Sequence, residues 1–277
     1  MKITSRDNSL LRHARAVRDG KVDELIYVEG LRLCVEALRS NLAIDAMIFS
    51  EQLASKDKAS AAIDELAKAA QRVASVSEKL LESISYTKTP QGIVLLAQRP
   101  EASEERLSAS LRNNPLVVVL HQINNPVNVG AILRTAEAAG ATGLITTQNT
   151  SDPFSPKSLR GAMGSAFRLP IWRDASFAEA VEWCRAKKIE LVGTDVDANL
   201  QHTDWNWTRA TALILGPEST GLTDDELKAT NQSVSIPMHG EVESLNVSVA
   251  AGILLYEAAR QRSMETSRSR SSPSCKP

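Results

Sequence analysis

The sequence predicts an α/β fold, in which a mostly parallel sheet occupies the C-terminal part and a smaller α/β unit precedes it. Three observations predict it. Beyond residue 115, short apolar runs alternate regularly with amphipathic stretches, the pattern of parallel strands whose two faces are covered by helices. Before residue 99 the same kinds of segment occur in a less regular mixture. Between them, residues 99–114 are polar, rich in Glu, Ser, Arg and Asn, and close on Asn113-Asn114-Pro115, the composition of a linker. The expected division is therefore residues 1–105 with the linker, residues 106–263, and a Ser/Arg/Pro-rich tail over 264–277 that is too poor in apolar residues to fold.

In the first part, a basic helical start leads to a strand at 25–28 and a helix at 31–38. A strand-like run at 46–50, a helix through 61–70 and a strand at 93–97 follow. In the second part the order is a strand at 116–120, a helix at 129–139, a strand at 143–146 and helices at 156–166 and 177–186. Strands at 189–194 and 212–215, a helix at 224–229, a strand at 233–236 and a helix at 247–261 complete it. Gly140-Ala141-Thr142-Gly143 reads as the cap of the helix ending at Ala139.

The formal charge is −1, so no global field draws nucleic acid, and an RNA partner would have to be held by local patches. DNA is not expected. Two basic patches qualify: Lys2, Arg6, Arg12, Arg15, Arg18 and Lys21 near the start, and Arg260, Arg262, Arg268, Arg270 and Lys276 near the end. The bland alternative for each is a solvated face or a tail. Cys34, Cys184 and Cys275 are odd in number and unpaired in spacing, which argues for reduced thiols in the cytoplasm and against a metal site. No apolar stretch is long enough to span a membrane, and the N-terminal residues lack the apolar segment of a signal peptide. The glycine fingerprint of dinucleotide folds and the Gly-Lys-Ser/Thr of a P-loop are both absent.

Function concentrates in three blocks, each joining an apolar run to a polar turn. The first is Asn125-Pro126-Val127-Asn128-Val129-Gly130 with Arg134. At about 100° per residue, Ile132, Leu133, Ala136 and Ala139 share a helical face and Arg134 lies opposite. Arg134 is thus free to reach outward, either to pair with Glu137 or, near a helix N-terminus, to bind phosphate. The second block is Leu213-Ile214-Leu215-Gly216-Pro217-Glu218, where glycine permits close backbone approach and Glu218 is presented at a strand end. The third runs from Ile236-Pro237-Met238 to Glu243-Ser244-Leu245-Asn246-Val247-Ser248, where Ser244 or Asn246 can also simply cap the following helix. Polar turns at strand ends build ligand sites in open α/β sheets, so three of them suggest one composite pocket.

Together and in this order, the blocks resemble the SpoU branch of the SPOUT superfamily, the knotted RNA 2′-O-ribose methyltransferases of TrmH type. The resemblance covers about residues 116–262. Upstream, Val28-Glu29-Gly30 and Thr89-Pro90-Gln91-Gly92 are similar to the family's ribosomal-protein-like recognition domain. The resemblance implies a trefoil knot, a homodimer, and S-adenosyl-L-methionine as cofactor. It implies that Gly216, Ile236 and Leu245 line the cofactor pocket with Met238 and Asn246 as neighbours, and that Asn128, Arg134, Glu218, Ser244 and Asn246 are the functional polar set. The implied reaction is methylation of a ribose 2′-hydroxyl in RNA, with ribosomal RNA of the 23S type expected as substrate. Transfer RNA, or a non-catalytic role in RNA binding and ribosome assembly, is the alternative.

A guanidinium does not give up its proton near neutral pH, so Arg134 is expected to grip a phosphate and stabilise alkoxide charge, with Ser244 and Asn246 orienting the hydroxyl. Glu218 is expected to hold Arg134 or a backbone turn, and Asn128 to shape its loop. His121 and His239 flank two blocks but fall outside the family pattern, and neither is expected to act as the base.

Overall fold

The computed structural model describes residues 1–54 and 57–271. It divides into two units, one comprising Met1–Glu101 and Asp152–Arg168, the other Ala102–Ser151 and Leu169–Pro277. In chain order the elements begin with β1 (Lys2–Ile3), α1 (Ser9–Arg18), β2 (Leu25–Glu29), α2 (Leu31–Arg39) and β3 (Ile44–Ser50). Next come α3 (Glu51–Ala54), α4 (Asp57–Ala69), β4 (Ala70–Val76), α5 (Glu78–Glu82), β5 (Ile93–Gln98) and α6 (Glu104–Ser110). Then follow β6 (Leu116–Leu120), α7 (Pro126–Ala138), β7 (Gly143–Thr147), α8 (Pro156–Ala162), α9 (Ser165–Arg168) and β8 (Ile171–Ala175). The chain continues through α10 (Phe177–Ala186), β9 (Glu190–Thr194), β10 (Thr211–Leu215), α11 (Asp224–Ala229), β11 (Gln232–Val234) and α12 (Val247–Ser271).

The first unit is built on a five-stranded sheet of order β1-β4-β3-β5-β2. Its β1-β4-β3 half is parallel, and β5 runs antiparallel to both neighbours. The basic start forms α1 because Asn8 caps it, accepting from the Leu10 amide, while Leu10, Leu11, Ala14 and Val17 fall on one buried face. That face packs on Tyr27, Ile48, Val76 and Leu96. The same unit contains α8 and α9, whose Arg168 donates to Glu36 of α2 at 2.7 Å.

The second unit holds a six-stranded sheet of order β11-β9-β10-β6-β7-β8, parallel throughout. Every residue of β6, β7 and β10 is buried, as expected for strands covered on both faces. Gly140, at φ +81°, ends α7 in a left-handed cap, its amide bonding to Glu137 O and that of Ala141 to Ala136 O.

Four expectations are corrected. Residues 104–110, read as linker, form α6, because Ser103 caps it and Leu107 is fully buried against the Gly143 backbone. The single helix expected at 156–166 is broken into α8 and α9 by Met163 and Gly164, both at positive φ. The strand expected at 233–236 ends at Val234, two residues short, and Pro237 follows. The last helix runs to Ser271, so residues 264–271, assigned to the unfolded tail, are helical. No glycine or proline lies between Gly252 and Pro273 to stop it. Residues 272–277 of the expected tail lie outside the described residues.

Candidate active site

The polar turns of the second unit gather at the C-terminal ends of its strands. Asn125 accepts from the Val127 amide at 3.0 Å and Pro126 occupies the first helical position, so the Asn-Pro pair starts α7 at the end of the short turn that follows β6. This turns Asn128 inward, where it is 5% exposed. Its amide nitrogen donates to Glu218 Oε1, and its oxygen accepts from Asn246 Nδ2 at 3.4 Å. One buried amide thus joins all three sequence blocks, because an amide, unlike a carboxylate, both donates and accepts.

After β10 the chain folds sharply back. A Cβ on Gly216 would lie 2.8 Å from the Leu222 nitrogen and 2.9 Å from the Gly221 carbonyl carbon, so only glycine fits without moving backbone. The Gly221 amide closes the turn by donating to Pro217 O at 2.9 Å. Asn246 caps α12, accepting from the Ser248 amide at 3.0 Å and its hydroxyl at 2.6 Å. The capping reading therefore holds for Asn246, alongside its bond to Asn128.

These turns enclose a cleft of about 610 Å³, within the range of small-molecule sites. Gly216, Glu218, Ile236, Met238, Ser244 and Leu245 all line it, joined by Leu215, Pro217, Val247 and Leu254. Its acidic lining comprises Asp195, Asp197, Glu218, Asp224 and Glu243. The turn Thr194-Asp195-Val196-Asp197 after β9 is a wall that the sequence reading missed. Its signal was the same as that of the other blocks, a polar turn at the end of an apolar strand.

Arg134 stands apart. It is exposed on α7, among the described residues it forms no hydrogen bond or ion pair, and it is absent from the cleft lining. Glu218 bonds Asn128 rather than Arg134. His121 is 3% exposed, with Nδ1 3.0 Å from Thr147 Oγ1 and Nε2 2.8 Å from Glu226 Oε1, and its ring lies against Phe177. It ties α11 to the sheet. His239 is exposed.

Comparison with known proteins agrees with this arrangement. The model of the SpoU rRNA Methylase family matches residues 115–256, and that of the MRM3-like substrate binding domain matches residues 12–95. The chain is 35% identical to the 23S rRNA (uridine(2479)-2′-O)-methyltransferase of Streptomyces viridochromogenes, over 69% of its own length and 68% of that protein's. It is 34% identical to the 23S rRNA (guanosine-2′-O-)-methyltransferase RlmB of Haemophilus ducreyi, over 72% of this chain and 83% of that one. The crystal structure of the SpoU methyltransferase AviRb from Streptomyces viridochromogenes in complex with AdoMet superposes with a TM-score of 0.81 at 29% identity, covering 92% of this chain and 98% of that one.

Proposed function

We infer that this chain, which belongs to the SpoU rRNA methylase family, is an S-adenosyl-L-methionine-dependent methyltransferase that modifies a ribose 2′-hydroxyl in ribosomal RNA. The observation that carries this reading is the cleft itself, lined by two of the three sequence blocks and tied to the third through Asn128.

The residues present fit the cofactor. Leu215, Ile236, Met238 and Leu245 offer apolar surface for a flat adenine, and the acidic lining favours a cationic sulfonium over the neutral thioether left after transfer. When bound, S-adenosyl-L-methionine supplies an already activated methyl group. Gly216, Ile236 and Leu245 hold it largely through backbone groups, with Met238 and Asn246 beside them. Arg134, unrestrained and permanently charged, grips the phosphate next to the target ribose and stabilises negative charge developing on its 2′-oxygen. Ser244 orients the hydroxyl from the cleft rim, and Glu218 acts through Asn128, fixing the start of α7.

The protein works as a cytoplasmic homodimer whose last segment is threaded as a trefoil knot. Support for the dimer comes from α7 and α12, which pack on each other and leave Val127, Val249, Tyr256 and Met264 between 46% and 57% exposed. A second copy would cover this apolar face. On size-exclusion chromatography with light scattering, Tyr256→Asp should convert a dimer to a monomer. A wild-type monomer would refute the assembly.

Isothermal titration with S-adenosyl-L-methionine and ribose-methylation mapping across total RNA, with and without the gene, test the activity. Binding together with one missing 2′-O-methyl mark in 23S-type RNA is the expected result. A mark missing from transfer RNA would move the substrate, and a folded protein that binds no cofactor would leave only an RNA-binding role.

A further inference from the structure

The first unit contains a loop, residues 84–92, whose backbone is held from both sides. Ile84 O accepts from the Tyr27 hydroxyl at 2.8 Å and from Arg18 Nη1 at 3.2 Å, and the same nitrogen reaches Ser85 O at 3.3 Å. Glu29 Oε2 accepts from the amides of Tyr86 at 2.8 Å and Thr87 at 3.3 Å, and its Oε1 accepts from the Thr87 hydroxyl at 2.6 Å. At the far end the Gln91 side chain packs over Gly30, 2.5 Å from where a Cβ would stand.

Glu29 is 7% exposed and has no cationic partner among the described residues. Burying a carboxylate that only amides and a hydroxyl compensate is a costly way to fix a surface loop. What the loop presents is Tyr86, 46% exposed, with Lys88 two residues on and exposed. Arg32, also exposed, stands in the first turn of α2, just after the Gly30 that Gln91 covers. Neither cation enters an ion pair among the described residues. A single exposed aromatic is ordinary on its own. An aromatic on a backbone pinned by buried groups, beside uncompensated cations, has the layout that captures an unpaired nucleotide: a ring for the base and charges for the flanking phosphates.

We propose that Tyr86 is a stacking platform for an unpaired base of the RNA substrate, with Lys88 and Arg32 contacting the adjacent phosphates. The proposal rests on the RNA-methyltransferase reading and assigns the recognition step to this loop. It makes the enzyme select RNA with a looped-out or bulged nucleotide over a continuous duplex, because a stacked, paired base has no free face for Tyr86.

The test compares the full-length wild type with Tyr86→Ala, Tyr86→Phe and the double variant Arg32→Ala/Lys88→Ala. Filter binding, at one fixed salt for comparing variants and across a salt series for the slope, uses unmodified 23S-type ribosomal RNA and a continuous RNA duplex. Tyr86→Ala should weaken binding to the ribosomal RNA about tenfold. It should raise the KM for RNA with S-adenosyl-L-methionine affinity and thermal midpoint unchanged, and duplex binding should not move. Tyr86→Phe, which keeps the ring, should bind like wild type. The double variant should lower the slope of log K against log salt by about 1.5 without changing the preference for unpaired RNA. A wild type that binds the cofactor and methylates RNA, with Tyr86→Ala indistinguishable from it, overturns the stacking proposal alone. A wild type that binds no RNA overturns both readings.

Discussion

Two polar side chains at turns, Asn128 in the second unit and Glu29 in the first, do similar work with different chemistry. Asn128 is a buried neutral amide that donates to Glu218 and accepts from Asn246, so it connects segments of chain 90 and 118 residues away in sequence. Glu29 is a buried carboxylate that can only accept, and its three bonds all fall on Tyr86 and Thr87. An amide can therefore join separate turns around a cleft. Glu29 instead concentrates its bonds on one stretch and holds it rigid. The first arrangement suits a pocket assembled from distant sequence, the second a surface element that must keep one shape.

The largest expected effect concerns the residue that neither arrangement restrains. Arg134 is exposed and unpartnered among the described residues, so its substitution should leave both networks intact. Arg134→Lys keeps the charge but loses the planar donor set. It should lower single-turnover methylation by about 10²-fold, with cofactor affinity and melting temperature near wild type. Nearly full single-turnover activity would show that the guanidinium is not specifically needed.

Next is a direct exchange of chemistry. Asn128→Asp puts a buried carboxylate against the exposed Glu218 and removes the donor that bonded it, leaving a new buried charge beside a like charge. A loss of about 3 kcal/mol in denaturant unfolding is expected, together with weakened cofactor binding. The converse exchange, Glu29→Gln, turns an amide group toward backbone donors and should cost about 1–3 kcal/mol. Cofactor binding should persist in that variant while RNA affinity falls. If both substitutions weakened the cofactor equally, the division of labour between the two networks would be wrong.

Sequence pattern made much of this visible, and physics explains where it stopped. Strand β6 and helices α10 and α11 have the bounds that their apolar periodicity and Ser or Thr caps predict. Strand β1, two residues long, carries no periodicity to read, and β4 carries Gln71 and Arg72, exposed polar residues that dilute a strand signal. Helix α6 hid in a polar stretch because a single residue, Leu107, supplies its buried contact. In the site, Gly216, Ile236, Met238 and Leu245 were legible as strand-end turns and do line one cleft. The bond from Asn128 to Glu218 was not, since no local pattern encodes a partner so far along the chain. The 194–197 wall escaped because its aspartates resemble any solvated turn.

Glu226 offers the smallest and most discriminating test, because it is a turn-holding carboxylate within the second unit. It accepts from the Thr223 amide at 2.8 Å and lies 2.8 Å from His121 Nε2, with its side chain 20% exposed. Burial alone would raise its pKa, but the Thr223 backbone and hydroxyl bonds and the His121 contact outweigh burial and leave it below the usual glutamate range. A carboxyl lowered by folding stabilises the protein above its unfolded pKa, and this contribution disappears as pH falls through the folded value. Glu226→Gln should therefore cost about 1 kcal/mol or less at neutral pH, and the gap to wild type should close in acid. Because the side chain is partly solvated, its loss should unsettle α11 without the large penalty expected at Asn128. A gap that persisted unchanged below the glutamate range would mean that neutral hydrogen bonding, not the carboxylate's charge, does the holding.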